Sequence, residues 1–174
     1  MIEACRQGDR AAFNQLVQMY QEKVFVVVQR MVDNTDDAYD ITQEAFVRAY
    51  EGISGFRGES QLFTWLYRIA VNMSLNHLRK KRLRGFLRLE DGHQAVAAGD
   101  PSPAADAEAT ELRNLVETAI EMLPAKQKAV FVLRYYDEMP YEEISTILGT
   151  STGGLKANYH HAMKKIETYV KAHL

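Results

Sequence analysis

Tyr141-Glu-Glu-Ile-Ser-Thr-Ile-Leu148, then Gly149-Thr-Ser151, then the run from Thr152 onward, is the stretch that decides the fold. The first segment reads as a short helix with Ile144, Ile147 and Leu148 turned inward. Gly149-Thr-Ser151 reads as a tight turn. A longer helix follows, with Leu155, Tyr159, Ala162, Met163, Ile166 and Val170 inward at helical spacing. Short helix, glycine turn and long helix make the helix-turn-helix spacing, which lays its second helix in a DNA major groove. The groove-facing positions are then Lys156, Asn158, His160, His161 and Lys164, with Thr152 opening the helix. Amide, imidazole and amine groups donate to base edges or phosphates. The alternative is an ordinary helical hairpin with a solvated polar face.

Outward from this unit the chain stays helical. Pro124 starts a helix containing Val130 and Leu133, and Leu112, Leu115, Val116, Ala119 and Ile120 form an apolar stripe before it. At the other end Phe13, Leu16, Val17, Tyr20, Val24, Val27, Val28 and Met31 recur every three or four residues, with Asp9 as a candidate N-cap. A second helix is expected from Asp37 to Tyr50, burying Ile41, Ala45, Phe46 and Ala49. Gly52, Gly55 and Gly58 mark a loop, and Ser60 can cap a third helix that buries Leu62, Leu66, Ile69 and Met73. No sustained period of two is bounded by hairpin turns. The expected fold is all-α.

Between the helical ends lies Asp91 to Asp106, with two prolines, two glycines and many alanines, which is linker composition. Residues 1–84 carry 12 Lys+Arg and 10 Asp+Glu, residues 85–108 carry 1 and 5, and residues 109–174 carry 8 and 8. We therefore expect a first domain over 1–84, an acidic linker over 85–108 and a second domain over 109–174. The net charge of -2 argues against a protein that coats nucleic acid in bulk.

Two further patterns carry chemistry. Asp37, Asp40 and Glu44, with Gln43 beside them, share one side of the second helix. An acidic face repels DNA and suits a basic protein surface; a solvated helix face is the alternative. Next, Phe56, Arg57, Phe63, Trp65, Tyr67 and Arg68 interleave aromatic and basic residues around Ser60. Arg68, Asn72, Asn76 and Arg79 then share a helix face that ends in Arg79-Lys80-Lys81-Arg82. Aromatics stack on unpaired bases while cations hold the backbone, which suits single-stranded nucleic acid. The alternative is that Phe63 and Trp65 are core and the basic run is a solvated helix end.

Other functions find no support. Of 174 residues 47% are hydrophobic, enough for a core, yet the longest apolar runs are far too short to cross a bilayer. Met1-Ile-Glu-Ala-Cys-Arg6 puts charge where a signal peptide needs apolar residues, so a cytoplasmic protein is expected. The single cysteine, Cys5, excludes an internal disulfide and is expected as a small apolar residue. There is no glycine-rich phosphate loop and no nucleophile elbow, and the adjacent His160 and His161 point in different directions. No catalytic residue, metal site, cofactor or small-molecule substrate is expected.

Taken together, these residues resemble a bacterial RNA polymerase sigma factor of the extracytoplasmic-function group, over about 8–84 and 109–171. Gly8-Asp-Arg-Ala-Ala-Phe13 is similar to the family's opening, and Asp37-Ala-Tyr-Asp-Ile-Thr-Gln-Glu-Ala-Phe46 to its core-polymerase-binding helix. Phe56-Arg-Gly-Glu-Ser60 and Thr64-Trp-Leu-Tyr-Arg-Ile-Ala-Val-Asn72 resemble its promoter-melting segment. Leu123-Pro124, Tyr141-Glu-Glu-Ile144 and Leu148-Gly149 resemble its promoter-reading domain. The resemblance implies that Asp37, Asp40, Gln43 and Glu44 bind core polymerase. It implies that Phe56, Arg57, Ser60, Trp65, Arg68, Asn72, Asn76, Arg79 and Lys80 melt and read the downstream promoter element. It also implies that Thr152, Lys156, Asn158, His160, His161 and Lys164 read the upstream one. Core polymerase, promoter DNA and an anti-sigma factor are the implied partners. Read without it, the residues also fit a free-standing helix-turn-helix regulator or an all-helical adaptor. The chain departs from the family at Gly154-Leu-Lys-Ala-Asn158, where a hydroxyl and a guanidinium are common, and at Pro140, where a serine is common. Its N-terminus is a few residues shorter.

Overall fold

The second and third helices each begin where a short polar side chain closes the first turn. Asp9 Oδ1 accepts from the amides of Ala11 and Ala12 at 2.8 and 3.2 Å, and α2 (Arg10–Val32) follows. Asn34 Oδ1 accepts from Asp37 N at 2.8 Å, so α3 (Thr35–Gly52) opens two residues before the expected start at Asp37. A short α1 (Ile2–Arg6) precedes them and buries Cys5, as an apolar cysteine should be. The computed structural model describes residues 1–32, 34–90 and 107–174. The expected linker core at Asp91 to Asp106 lies outside the described residues.

After a 3-10 turn at Ile53–Gly55 the chain enters α4 (Leu62–Glu90). This helix opens one residue later than a cap at Ser60 would set it. The C-terminal part comprises α5 (Ala107–Glu121), α6 (Ala125–Phe131), α7 (Tyr141–Leu148) and α8 (Thr152–His173). Among the described residues every regular element is helical. A π-helical turn, Val132–Tyr136, extends α6 and ends with Asp137 N bonded to Val132 O at 3.4 Å. The next residue, Glu138, has φ 53°, a left-handed conformation that crowds its Cβ. The Arg134 guanidinium holds the turn by donating to the carbonyls of Glu138 and Met139 at 3.3 and 3.0 Å.

The helix-turn-helix folds as its residues dictate. Gly149 ends α7 in the left-handed conformation, φ 63°, where glycine has no Cβ to clash. Ser151 Oγ then accepts from Gly154 N at 3.3 Å and caps α8. The two glycines of that first turn differ in their surroundings. A Cβ on Gly154 would meet Thr150 Cγ2 at 3.1 Å and Ser151 Oγ at 3.3 Å, whereas a Cβ on Gly153 would meet open space. Gly153→Ala should therefore stabilise the chain by about 0.5 kcal/mol, while Gly154→Ala should gain nothing or destabilise it. Urea denaturation of both variants checks this, and equal shifts would contradict it.

The core forms in two parts. Leu16, Val27 and Met31 of α2 pack with Ala38 and Ala49 of α3 and Leu66 and Val71 of α4. That cluster continues without a break into Leu133, Met139, Ile144, Ile147 and Leu155 of the C-terminal part. Ala119, Ile120, Leu123, Phe131, Ala162 and Ile166 form a second cluster. The two ends of the sequence thus share one core, with α4 packed against α6 and α7. Leu112 and Met163, expected inward, are exposed.

Candidate nucleic-acid and partner interfaces

The acidic face of α3 forms as its spacing requires. Asp40, Gln43 and Glu44 are exposed, and Glu44 pairs with Arg48 at 3.0 Å. Asp37 stands apart: its Oδ2 lies 3.3 Å from His77 Nε2 on α4, an ion pair when the imidazole is protonated. Beside this face runs a groove of about 780 Å³ between α2 and α3, which the sequence reading missed. Phe13, Val17 and Phe25 supply one wall, and Tyr39, Phe46, Val47 and Tyr50 the other. Phe13 meets Tyr50 edge-on at 5.0 Å and Phe25 stacks on Tyr39 at 4.5 Å. At its floor Thr42 Oγ1 is buried without a hydrogen-bond partner among the described residues. Tyr39 and Val47 are more than half exposed, so the α3 stripe is wider than the core needs. That surplus width, with apolar residues at i, i+7, i+8 and i+11 from Tyr39 to Tyr50, was the available signal.

The aromatic-basic segment divides into two sites. Phe56, Arg57, Ser60, Trp65 and Arg68 line a pocket of about 520 Å³. Phe56 is buried and packs on Trp65 at 5.2 Å, so it supports the pocket rather than presenting a free ring. Tyr67 is also core: its ring is buried and its hydroxyl donates to Lys23 O at 3.2 Å. Burial and the neighbouring Asp137 carboxyl raise the phenol far above its ordinary pKa. One helical turn on, Asn72, Asn76 and Arg79 line a separate cleft of about 970 Å³ with Leu123, Leu148 and Asn158. Arg79 donates to Asn76 Oδ1 at 3.0 Å, and Lys80 is exposed beyond them.

On α8, Thr152, Lys156, His160 and Lys164 recur every four residues and follow one strip, of which Lys156, His160 and Lys164 are exposed. His161 is exposed to one side of it. Asn158 points away and lines the cleft with Asn72, so the structure separates it from the other five expected positions. Lys156 Nζ lies 5.8 Å from the Tyr141 ring centroid, a cation–π contact that steadies the base of the strip. Among the described residues no group of His, Cys, Asp and Glu could hold a metal ion, and no helix is long and apolar enough to cross a membrane.

The chain matches two family descriptions: Sigma-70 region 2 over residues 16–84, and Sigma-70, region 4 over residues 113–166. It is 33% identical over 177 residues to the ECF RNA polymerase sigma factor SigW of Bacillus subtilis, covering 98% of this chain and 95% of that protein. It is 35% identical over 180 residues to the ECF RNA polymerase sigma-E factor of Escherichia coli, covering 98% and 93%. In fold it is similar to the sigma factor RpoE, solved with the anti-sigma factor NepR from Bartonella quintana, with TM-score 0.71, 21% identity and coverage of 92% and 97%. It is similar as well to CnrH, solved with the cytosolic domain of CnrY, with TM-score 0.69, 20% identity and coverage of 98% and 95%.

Proposed function

Because the chain belongs to the extracytoplasmic-function group of bacterial RNA polymerase sigma factors, we propose that its three separate faces divide the work of initiation. Asp40, Gln43 and Glu44 contact core polymerase at the rim of the α2–α3 groove, whose apolar walls receive a helical partner surface. The pocket of Arg57, Ser60, Trp65 and Arg68, with Asn72, Asn76, Arg79 and Lys80, takes up the unpaired strand of the downstream element. The α8 strip reads the duplex upstream element. We place region 2 in a unit over 1–84 and the reader of the upstream element in a unit over 109–174. An anti-sigma factor, the partner of RpoE in its solved structure, is extended to this chain, as is a cytoplasmic setting.

The observation that carries this reading is the chemical difference between the faces. One is acidic and apolar, which suits protein and repels DNA. The second offers an indole beside a guanidinium, which suits a base out of its stack. The third is a basic strip on the second helix of a helix-turn-helix. A helix-turn-helix regulator acting alone has no use for the first two, and an adaptor none for the third.

Gel-shift assays with the chain alone, core polymerase alone and the two together test the proposal. Promoter binding is expected only with both present; retention by the chain alone would favour the free-standing regulator. Within that complex, replacing Lys156 or Lys164 with alanine should weaken closed-promoter binding across sequences and lower the log–log salt slope by about one. An unchanged slope, measured by filter binding across a salt series, would remove that lysine from the DNA interface.

A further inference from the structure

One polar group on the floor of the α2–α3 groove is left unpaired in the free chain. Thr42 is 7% exposed and its side chain lines the groove, yet its Oγ1 is covered and has no hydrogen-bond partner among the described residues. A hydroxyl inside a helix has a ready outlet in the carbonyl four residues earlier. Ser74, Thr118, Thr146 and Thr168 all use it, donating to the carbonyls of Ala70, Asn114, Glu142 and Lys164 at 2.9, 2.9, 3.2 and 2.7 Å. Thr42 does not use the same outlet at Ala38. A buried hydroxyl left unpaired destabilises the fold, whereas a valine of the same shape would not.

The surroundings fix what can complete this hydroxyl. The groove is walled by apolar side chains, Phe25 on one side and Phe46 and Tyr50 on the other among them. Gln43, next to Thr42 in the chain, lines the same groove and is exposed on the acidic face with Asp40 and Glu44. A partner that covers that face therefore covers Thr42 as well. A groove between two helices with such walls receives the apolar side of an amphipathic helix. A helix whose entering face is apolar throughout would seal the hydroxyl in unpaired. A helix with one polar side chain in that face would complete it.

We propose that Thr42 is a specificity-determining residue of this groove, and that core polymerase completes its hydroxyl with one polar side chain carried on the otherwise apolar face of an inserted helix. The inference rests on the assignment of the groove to core polymerase. The free chain keeps the unpaired hydroxyl at the expense of its own stability, and the bound chain gains a hydrogen bond in a site closed to water. The same hydroxyl disfavours a partner with a wholly apolar face, which would exclude water and return no hydrogen bond. Asp40 and Glu44 then supply attraction beside the groove, and Thr42 selects at its floor.

The test compares full-chain Thr42→Val and Thr42→Ser with the parent in two measurements, thermal unfolding of the free chain and competition for labelled core polymerase. Thr42→Val should raise the unfolding midpoint by about 2 °C or more, because it removes an unpaired hydroxyl and keeps the shape. The same variant should bind polymerase about fivefold more weakly or worse. Thr42→Ser, which keeps the hydroxyl, should bind within about twofold of the parent. A residue that only builds the fold would move stability and affinity in the same direction. A lowered midpoint in the valine variant would show the hydroxyl to be paired in the free chain and overturn the proposal. Serine binding as weakly as valine would overturn it too, by placing the loss in shape rather than in the hydroxyl. Parent-like polymerase binding by the valine variant, while the Asp40→Lys, Glu44→Lys pair loses binding, would overturn this proposal and leave the polymerase assignment standing. Parent-like binding by both would overturn the two together.

Discussion

Reversing Asp40 and Glu44 to lysine is expected to weaken core-polymerase binding by about 3 kcal/mol, more than a hundredfold in Kd. Both side chains are exposed on α3, on the face beside Gln43, which lines the apolar groove. Exposed charge alone contributes little, so the magnitude depends on desolvation when the groove is covered. Two lysines would then face the basic surface that the acidic rim is proposed to meet, and like charges held together cost several kcal/mol. The fold should hardly respond. The one local loss is the Glu44–Arg48 pair, an exposed i, i+4 contact of about 0.5 kcal/mol. Asp37→Asn should matter much less for core binding, since Asp37 is turned toward His77. Competition for labelled core polymerase measures all three, with far-ultraviolet circular dichroism as the control. Parent-like affinity in the lysine pair would take the polymerase interface off this face.

Replacing Asn72 with alanine is expected to spare polymerase binding and upstream contact yet impair promoter opening by roughly tenfold or more. Asn72 lies on α4, away from the α2–α3 groove and from the exposed α8 strip, so neither surface should change. Its amide is proposed to meet the edge of a base that has left the stack, a step that costs a few kcal/mol and is offset by stacking and edge hydrogen bonds. Losing one such hydrogen bond removes about 1–2 kcal/mol at that step. A mismatched, preopened promoter should recover part of the activity, because its unpairing is already done. Permanganate footprints of open complexes and run-off transcription on duplex and mismatched templates read this out together. If the variant opens duplex promoters as well as its parent, Asn72 is structural and its contact with Ile147 O is its main role.

The helices were legible because each carries its own signals. Asp9 and Ser151 stand at N-caps that the structure shows in use, and Gly149 takes the left-handed end that a tight turn needs. The helical period itself separates Asn158 from Lys156, since residues two apart on a helix point to nearly opposite sides; grouping them by polarity passed over this. The groove was hidden because Phe46 reads equally well as core, and it is core; what opens the groove is the exposed flank of Tyr39 and Val47. The contacts between the two ends were beyond reach. Arg30 and Asp137 are 107 positions apart, and an apolar period shows which side of a helix is buried, not what covers it. The π-helical turn was equally silent, since it differs from the α-helix before it by a single shifted register.

The most direct measurement of the central claim is transcription of fragmented genomic DNA by core polymerase with and without this chain, with every RNA 5′ end mapped. The account predicts a set of start sites seen only with the chain, preceded by a shared two-part sequence at constant spacing. That set should vanish with the Asp40→Lys, Glu44→Lys pair. Identical 5′ ends in the two reactions would contradict it.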